Sequence, residues 1–231
     1  DKVGINSDKV MINTGSVPLL ENLLISNRPY LLAIPEVYLD NLKMKIGVDW
    51  QSEKEVIKKL RTKFPKDILE LRVDANGAFS SEEAKVVLDE LHALDIHSIE
   101  QPIMAGQWKQ MAELCKNTPT PIALDEELIG ILNPSMKLDL LNEINPQYII
   151  LKPTLVGGFS GTDEWINLAE SKKIGWWITS ALESNVGLNA IAQYTYLKNN
   201  PMPQGLGTGG LFTNNTANPL DLKGEQLWFK P

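Results

Sequence analysis

The chain has 231 residues, with 22 Lys and Arg against 29 Asp and Glu, for a formal net charge of −7. An acidic balance argues against a nucleic-acid partner, because phosphate binding needs a basic face. An apolar share of 43% with 22% charged residues is ordinary for a globular protein, and no uninterrupted apolar run is long enough to cross a bilayer. Cys115 is the single cysteine, so no intrachain disulfide forms, which fits a reducing compartment. Residues 1–15 lack the charged-then-apolar layout of a signal peptide, and the expected location is cytoplasmic. His92 and His97 are too few for a histidine-rich zinc site and read as structural, while Cys115 reads as a packing residue on a helix.

In chain order, Lys9 to Asn13 reads as a first strand, and the rest of residues 1–41 is irregular. Val17 to Ile25 fits a helix, and Pro29 and Pro35 then break up the approach to Leu42. From Leu42 onward, short apolar runs alternate with longer amphipathic ones. Leu42 to Ile46 is a strand, and Ser52 to Phe64 a helix, with Ser52 as N-cap and Glu55 completing a capping box. Ile68 to Val73 is a strand, and Ser80 to Leu94 a helix capped by Ser80 and Glu83. Further strands are predicted at His97 to Ile99, Pro121 to Leu124, Gln147 to Leu151 and Ile174 to Ile178. The helices between and after them are Gly106 to Asn117, Pro134 to Glu143, Thr162 to Lys173 and Asn185 to Leu197. Gln204 to Leu206 fits a last short strand.

Strands that alternate with helices imply parallel pairing through right-handed crossovers. With Lys9 to Asn13 counted, the strands number eight, which close naturally into a TIM-type (β/α) barrel. The rival is an open doubly wound sheet. No linker interrupts the series, so residues 1–231 read as one barrel domain with an irregular portion at 1–41.

In a parallel barrel the chemistry lies at the C-terminal ends of the strands. Lys43 and Lys45 end the first clear strand, two apart and so on one face. Asp74, Glu100 and Asp125 end the next three, and Lys152 the one after. Singly, each has a bland reading as a cap or a solvated charge. Jointly, three consecutive carboxylates flanked by lysines form an order that helix caps alone do not produce. Three converging carboxylates repel one another, and a hard divalent cation relieves that repulsion. Oxygen-only ligands favour magnesium over zinc. The cation, with partial burial, would lower a lysine pKa and make it a base. It would also hold a substrate carboxylate and stabilise the enediolate formed when the adjacent proton leaves.

Lys-x-Lys, then Asp, Glu and Asp on successive strands, then Lys, resembles the enolase superfamily and its muconate-lactonizing subgroup. Leu71–Phe79, Ser98–Gln107, Ile122–Ile129, Trp176–Ala192 and Gly205–Asn215 resemble more specifically the o-succinylbenzoate synthase family. The resemblance implies that Asp74, Glu100 and Asp125 bind Mg2+. It implies that Lys45 removes the proton alpha to the carboxylate and protonates the departing hydroxide. Lys152 would stabilise the intermediate from the opposite face, and Lys43, Asn76 and Ser180 would bind substrate. The implied reaction is dehydration of the small carboxylate 2-succinyl-6-hydroxy-2,4-cyclohexadiene-1-carboxylate to o-succinylbenzoate, a lyase step in menaquinone synthesis. N-succinylamino acid racemase, dipeptide epimerase and a non-catalytic metal-binding barrel are the alternatives.

The family carries an α+β capping domain before the barrel. The chain begins too near its first strand to hold one, so the expectation is a barrel without it. Gly205, Gly207 and Gly210 match a dinucleotide fingerprint, but too little chain follows for the required strand–helix–strand unit. Gly157, Gly158 and Gly161 are expected to form a flexible loop at the mouth rather than a phosphate cradle. Trp176 and Trp177 should point to opposite faces, one inside the barrel and one under the helices.

Overall fold

The computed structural model describes residues 12–13, 41–207, 213–217, 219–223 and 226–229. Seven parallel strands lie side by side in chain order. They are β1 (Ile12–Asn13), β2 (Asn41–Lys45), β3 (Glu70–Asp74), β4 (Ser98–Glu100), β5 (Ile122–Leu124), β6 (Tyr148–Leu151) and β7 (Gly175–Ile178). From β2 onward each strand is followed by a helix: α1 (Trp50–Lys63), α2 (Ser81–Ala93), α3 (Trp108–Asn117), α4 (Pro134–Ile144), α5 (Gly158–Ser171) and α6 (Asn185–Leu197). A doubly wound sheet reverses its strand order part-way. This order never reverses, and the arrangement is that of a (β/α) barrel. The eighth position is taken by Gly205, which bridges Thr179 in parallel and donates its N–H to the Ile178 carbonyl at 2.8 Å.

Strand alternation separates two apolar compartments. Leu71, Val73, Ile149, Leu151, Trp176 and Ile178 face the helices and join the main core. Ala123, Ile150 and Trp177 form a small interior cluster. The two tryptophans therefore take opposite faces, as expected. Cys115 is buried on α3.

Several boundaries differ from the sequence reading. The cap of α1 is Asp49, which accepts from the Ser52 N–H, rather than Ser52 with Glu55. Glu53 accepts from the N–H groups of Gly47, Val48 and Asp49 at 2.7–3.1 Å, which closes the turn after β2. Glu55 is left on the solvent side, paired with Lys58 at 2.6 Å. The Ser80–Glu83 capping box is present as expected.

Helix α5 starts four residues before Thr162, so Gly157, Gly158 and Gly161 are not a flexible loop. Gly157 caps the helix at φ 102°, a backbone conformation that suits glycine. Gly161 packs so tightly that a Cβ there would lie 2.3 Å from the Val156 carbonyl oxygen. A C-terminal antiparallel hairpin of β8 (Leu220–Lys223) and β9 (Gln226–Phe229) was not anticipated. The helix expected over Val17 to Ile25 lies outside the described residues.

Candidate active site

Strand register sets the site. In a parallel pair, residues in register share a face. Lys45 is in register with Asp74, and Asp74 with Glu100, so the three form one row across β2, β3 and β4. Asp125 follows β5 and Lys152 follows β6, at the same C-terminal edge. The Lys43 Nζ donates to Glu100 Oε2 at 2.6 Å and lies 3.4 Å from Asp74 Oδ2. The Lys45 Nζ donates to the same Asp74 oxygen at 2.5 Å and to Asn76 Oδ1 at 2.6 Å. Lys152 donates to Asp125 Oδ2. All six charged residues inferred from strand ends thus meet in one mouth. The Lys45 side chain is 41% exposed and that of Lys43 only 7%, so Lys45 is the ammonium that an incoming molecule can reach.

The electrostatics follow from burial and crowding. Burial raises the Asp74 and Glu100 carboxyls above the usual range, and repulsion adds to it, from Glu100 on Asp74 and from Asp125 on Glu100. The lysines oppose this without overcoming it. Burial pulls the Lys43 and Lys152 ammoniums down, but the carboxylates around them prevail and hold both above the ordinary lysine value.

A strand-end constellation on a sequentially wound parallel barrel delimits a small number of families. The enolase C-terminal domain-like family model matches residues 33–219. The chain belongs to that family. It is 54% identical over 187 residues to the o-succinylbenzoate synthase of Desulfotalea psychrophila, an overlap of 80% of this chain and 50% of that protein. The crystal structure of MenC from the same organism superposes with a TM-score of 0.82 at 46% identity, covering 99% of this chain and 60% of that one. An N-succinylamino acid racemase from Amycolatopsis is 28% identical over 206 residues, covering 86% of this chain and 54% of the racemase. The chain therefore spans about half the length of the curated relatives it matches.

For an enolase-family barrel, the donor set bears directly on a metal. Asp74, Glu100 and Asp125 offer only oxygen, stand at the C-terminal ends of consecutive strands and are each at most 2% exposed. Their mutual repulsion is the property a hard divalent cation would relieve, so the residues fit such an ion by chemistry. Their oxygens are turned to the lysines. Among the described residues, no three acidic, His or Cys side chains are gathered as a ready ligand set.

Asn76, at φ 45° in the turn after β3, is part of the cluster through Lys45. Ser180 sits after β7, where its N–H and hydroxyl donate to the Gly205 carbonyl at 2.9 and 3.2 Å. There it ties the sheet to its eighth position. His97 contacts the Ser98 hydroxyl at 2.9 Å and lies against Tyr148.

Sequence reasoning missed three residues beside the carboxylates. Gln101, fully buried at φ 39°, accepts from the N–H groups of Asp125 and Glu127 at 3.2 and 3.3 Å. It also donates to Glu127 Oε2 at 3.1 Å, which fixes the end of β5 against the loop after β4. Glu126 accepts from Asn76 Nδ2 at 2.8 Å. The available signal was adjacency, since each of the three lies next to, or two residues past, a carboxylate already singled out. A groove of ≈ 690 Å³ between α3 and α4 is lined by Lys109, Glu113 and Glu143 and contains none of these groups.

Proposed function

We propose that the chain carries the catalytic barrel of an o-succinylbenzoate synthase. The reaction is dehydration of 2-succinyl-6-hydroxy-2,4-cyclohexadiene-1-carboxylate to o-succinylbenzoate, in menaquinone biosynthesis. The observation that carries this reading is the 54% identity to one such synthase, against 28% for the racemase, over a barrel whose strand ends hold both lysines and carboxylates.

Asp74, Glu100 and Asp125 would hold Mg2+. When bound, the ion would neutralise the substrate carboxylate and lower the cost of charge building there. Lys45, the exposed member of the pair, would take the proton alpha to that carboxylate as its C–H bond breaks. The electron pair released forms the ring double bond as the C–O bond to the hydroxyl breaks. The same ammonium would return the proton to the departing hydroxide, so that water leaves and the ring becomes aromatic. Lys152 would face the opposite side and offset the transient negative charge. Buried Lys43 would hold Asp74 and Glu100 in place, Asn76 would steady Lys45, and Ser180 would line the substrate side near Gly205.

The test is to supply the purified protein with Mg2+ and the cyclohexadiene acid and follow formation of the aromatic product. Product formation is the expected result. Metal binding without turnover would point to a non-catalytic barrel. Exchange at the alpha carbon of N-succinyl amino acids, without dehydration, would point to a racemase or epimerase.

A further inference from the structure

Asn76 is gripped from two sides by groups of opposite character. Its Oδ1 accepts from the Lys45 Nζ at 2.6 Å, and its Nδ2 donates to Glu126 Oε1 at 2.8 Å. An ammonium can only donate and a carboxylate can only accept, so both partners select the same orientation of the carboxamide. Turned by half a rotation, the amide would set its NH2 against the ammonium and its oxygen against the carboxylate.

We propose that Glu126 is a positioning residue that fixes the Asn76 carboxamide and, through it, the place of the Lys45 ammonium. The inference rests on the reading of Lys45 as the group that moves the proton. Glu126 is itself held. It begins a short 3-10 turn, Glu126–Leu128, and the N–H groups on either side of it, those of Asp125 and Glu127, both donate to Gln101 Oε1. The Glu127 carboxylate accepts from the Gly106 N–H at 2.7 Å. Asn76 is anchored by its own N–H, which donates to Asp74 Oδ1 at 3.1 Å. The relay from Glu126 to Asn76 to Lys45 thus crosses from the end of β5 to β2 over the carboxylates. Lys45 is the most exposed of the lysines in the mouth and has the most freedom to lose its aim. Proton transfer is sensitive to that aim, since a misplacement of about 1 Å can cost on the order of a hundredfold in rate.

Removing the Glu126 carboxylate leaves only the Asn76 Nδ2 without its acceptor, and Asn76 is exposed so that water can replace it, so the barrel should stay folded. The experiment compares wild type, Glu126→Ala and Glu126→Gln, with Asn76→Ala used to assign the Asn76 side-chain amide in 15N-labelled protein. The Asn76 carboxamide protons should exchange slowly in wild type, at least about tenfold faster in Glu126→Ala, and within about threefold of wild type in Glu126→Gln, whose oxygen still accepts. With substrate, Glu126→Ala should lower kcat about tenfold to a hundredfold with KM within about twofold, and Glu126→Gln should recover most of the loss. Unchanged amide exchange in Glu126→Ala overturns the proposal, and so does faster exchange with unaltered kcat. A wild-type chain without turnover sinks the synthase reading alone, because the exchange series still decides whether Glu126 holds Asn76.

Discussion

Asp74 and Glu100, register partners on β3 and β4, share one buried ammonium, that of Lys43, at 3.4 and 2.6 Å. Two carboxylates kept side by side in a dry interior need positive charge nearby. The protein supplies part of it with lysine, and burial still leaves both carboxyls raised.

This predicts how metal binding depends on pH. A carboxyl whose folded pKa lies above its unfolded value contributes most to stability at low pH, and that contribution is lost as pH rises through the folded pKa. Metal-free protein should therefore lose stability from this pair as pH rises, and Mg2+ should restore it where the carboxylates are ionised. The rise in Tm on adding Mg2+, read by calorimetry, should be larger at pH 7.5 than at pH 5. An equal rise at both would remove the carboxylates as the binding group.

Lys45→Ala should lower kcat by about a hundredfold to ten-thousandfold, the range for loss of a general acid–base group. Calorimetric titration should find Mg2+ affinity retained, since Asp74 keeps Lys43. An undiminished rate would end the assignment of Lys45.

Cys115 should be inert in the native protein. Burial, reinforced by the negative charge of Glu127, pushes its thiol up to about 12. Ellman's reagent at pH 8 should give no colour with folded protein and one equivalent after denaturation, as the chain has a single cysteine. Rapid native reaction would contradict the packing of α3.

Gly161→Ala should destabilise the barrel by about 1–3 kcal/mol, the usual cost of overpacking. Urea unfolding would measure it. A neutral result would mean that α5 does not start against Val156 as described.

The sequence by itself determined the order of elements and the identity of the charged residues at strand ends. Both are local properties. Apolar periodicity marks a strand or a helix within its own segment, and the residue after an apolar run is a strand end whatever that strand pairs with. The Ser80–Glu83 box was legible for the same reason, because its two partners are three residues apart. Where the pattern pointed to Ser52 as the cap, the hydrogen bonds of the preceding turn decided for Asp49. Glu53 turned back to close the β2 turn, and the helix began earlier. The tight seat of Gly161 on Val156 made three glycines into a helix start rather than a loop.

Which strand-end residues actually meet was likewise a tertiary matter. Register between strands brings Lys45, Asp74 and Glu100 into one row, although they are 29 and 26 positions apart in the chain. Glu126 and Asn76 are separated by 50 residues, and no spacing rule reaches that far. Gln101 and Glu127 are separated by 26. Local pattern named the six charged residues of the mouth. Which neighbours hold them in place is settled by long-range hydrogen bonds, which form once the strands are side by side and buried polar groups need partners.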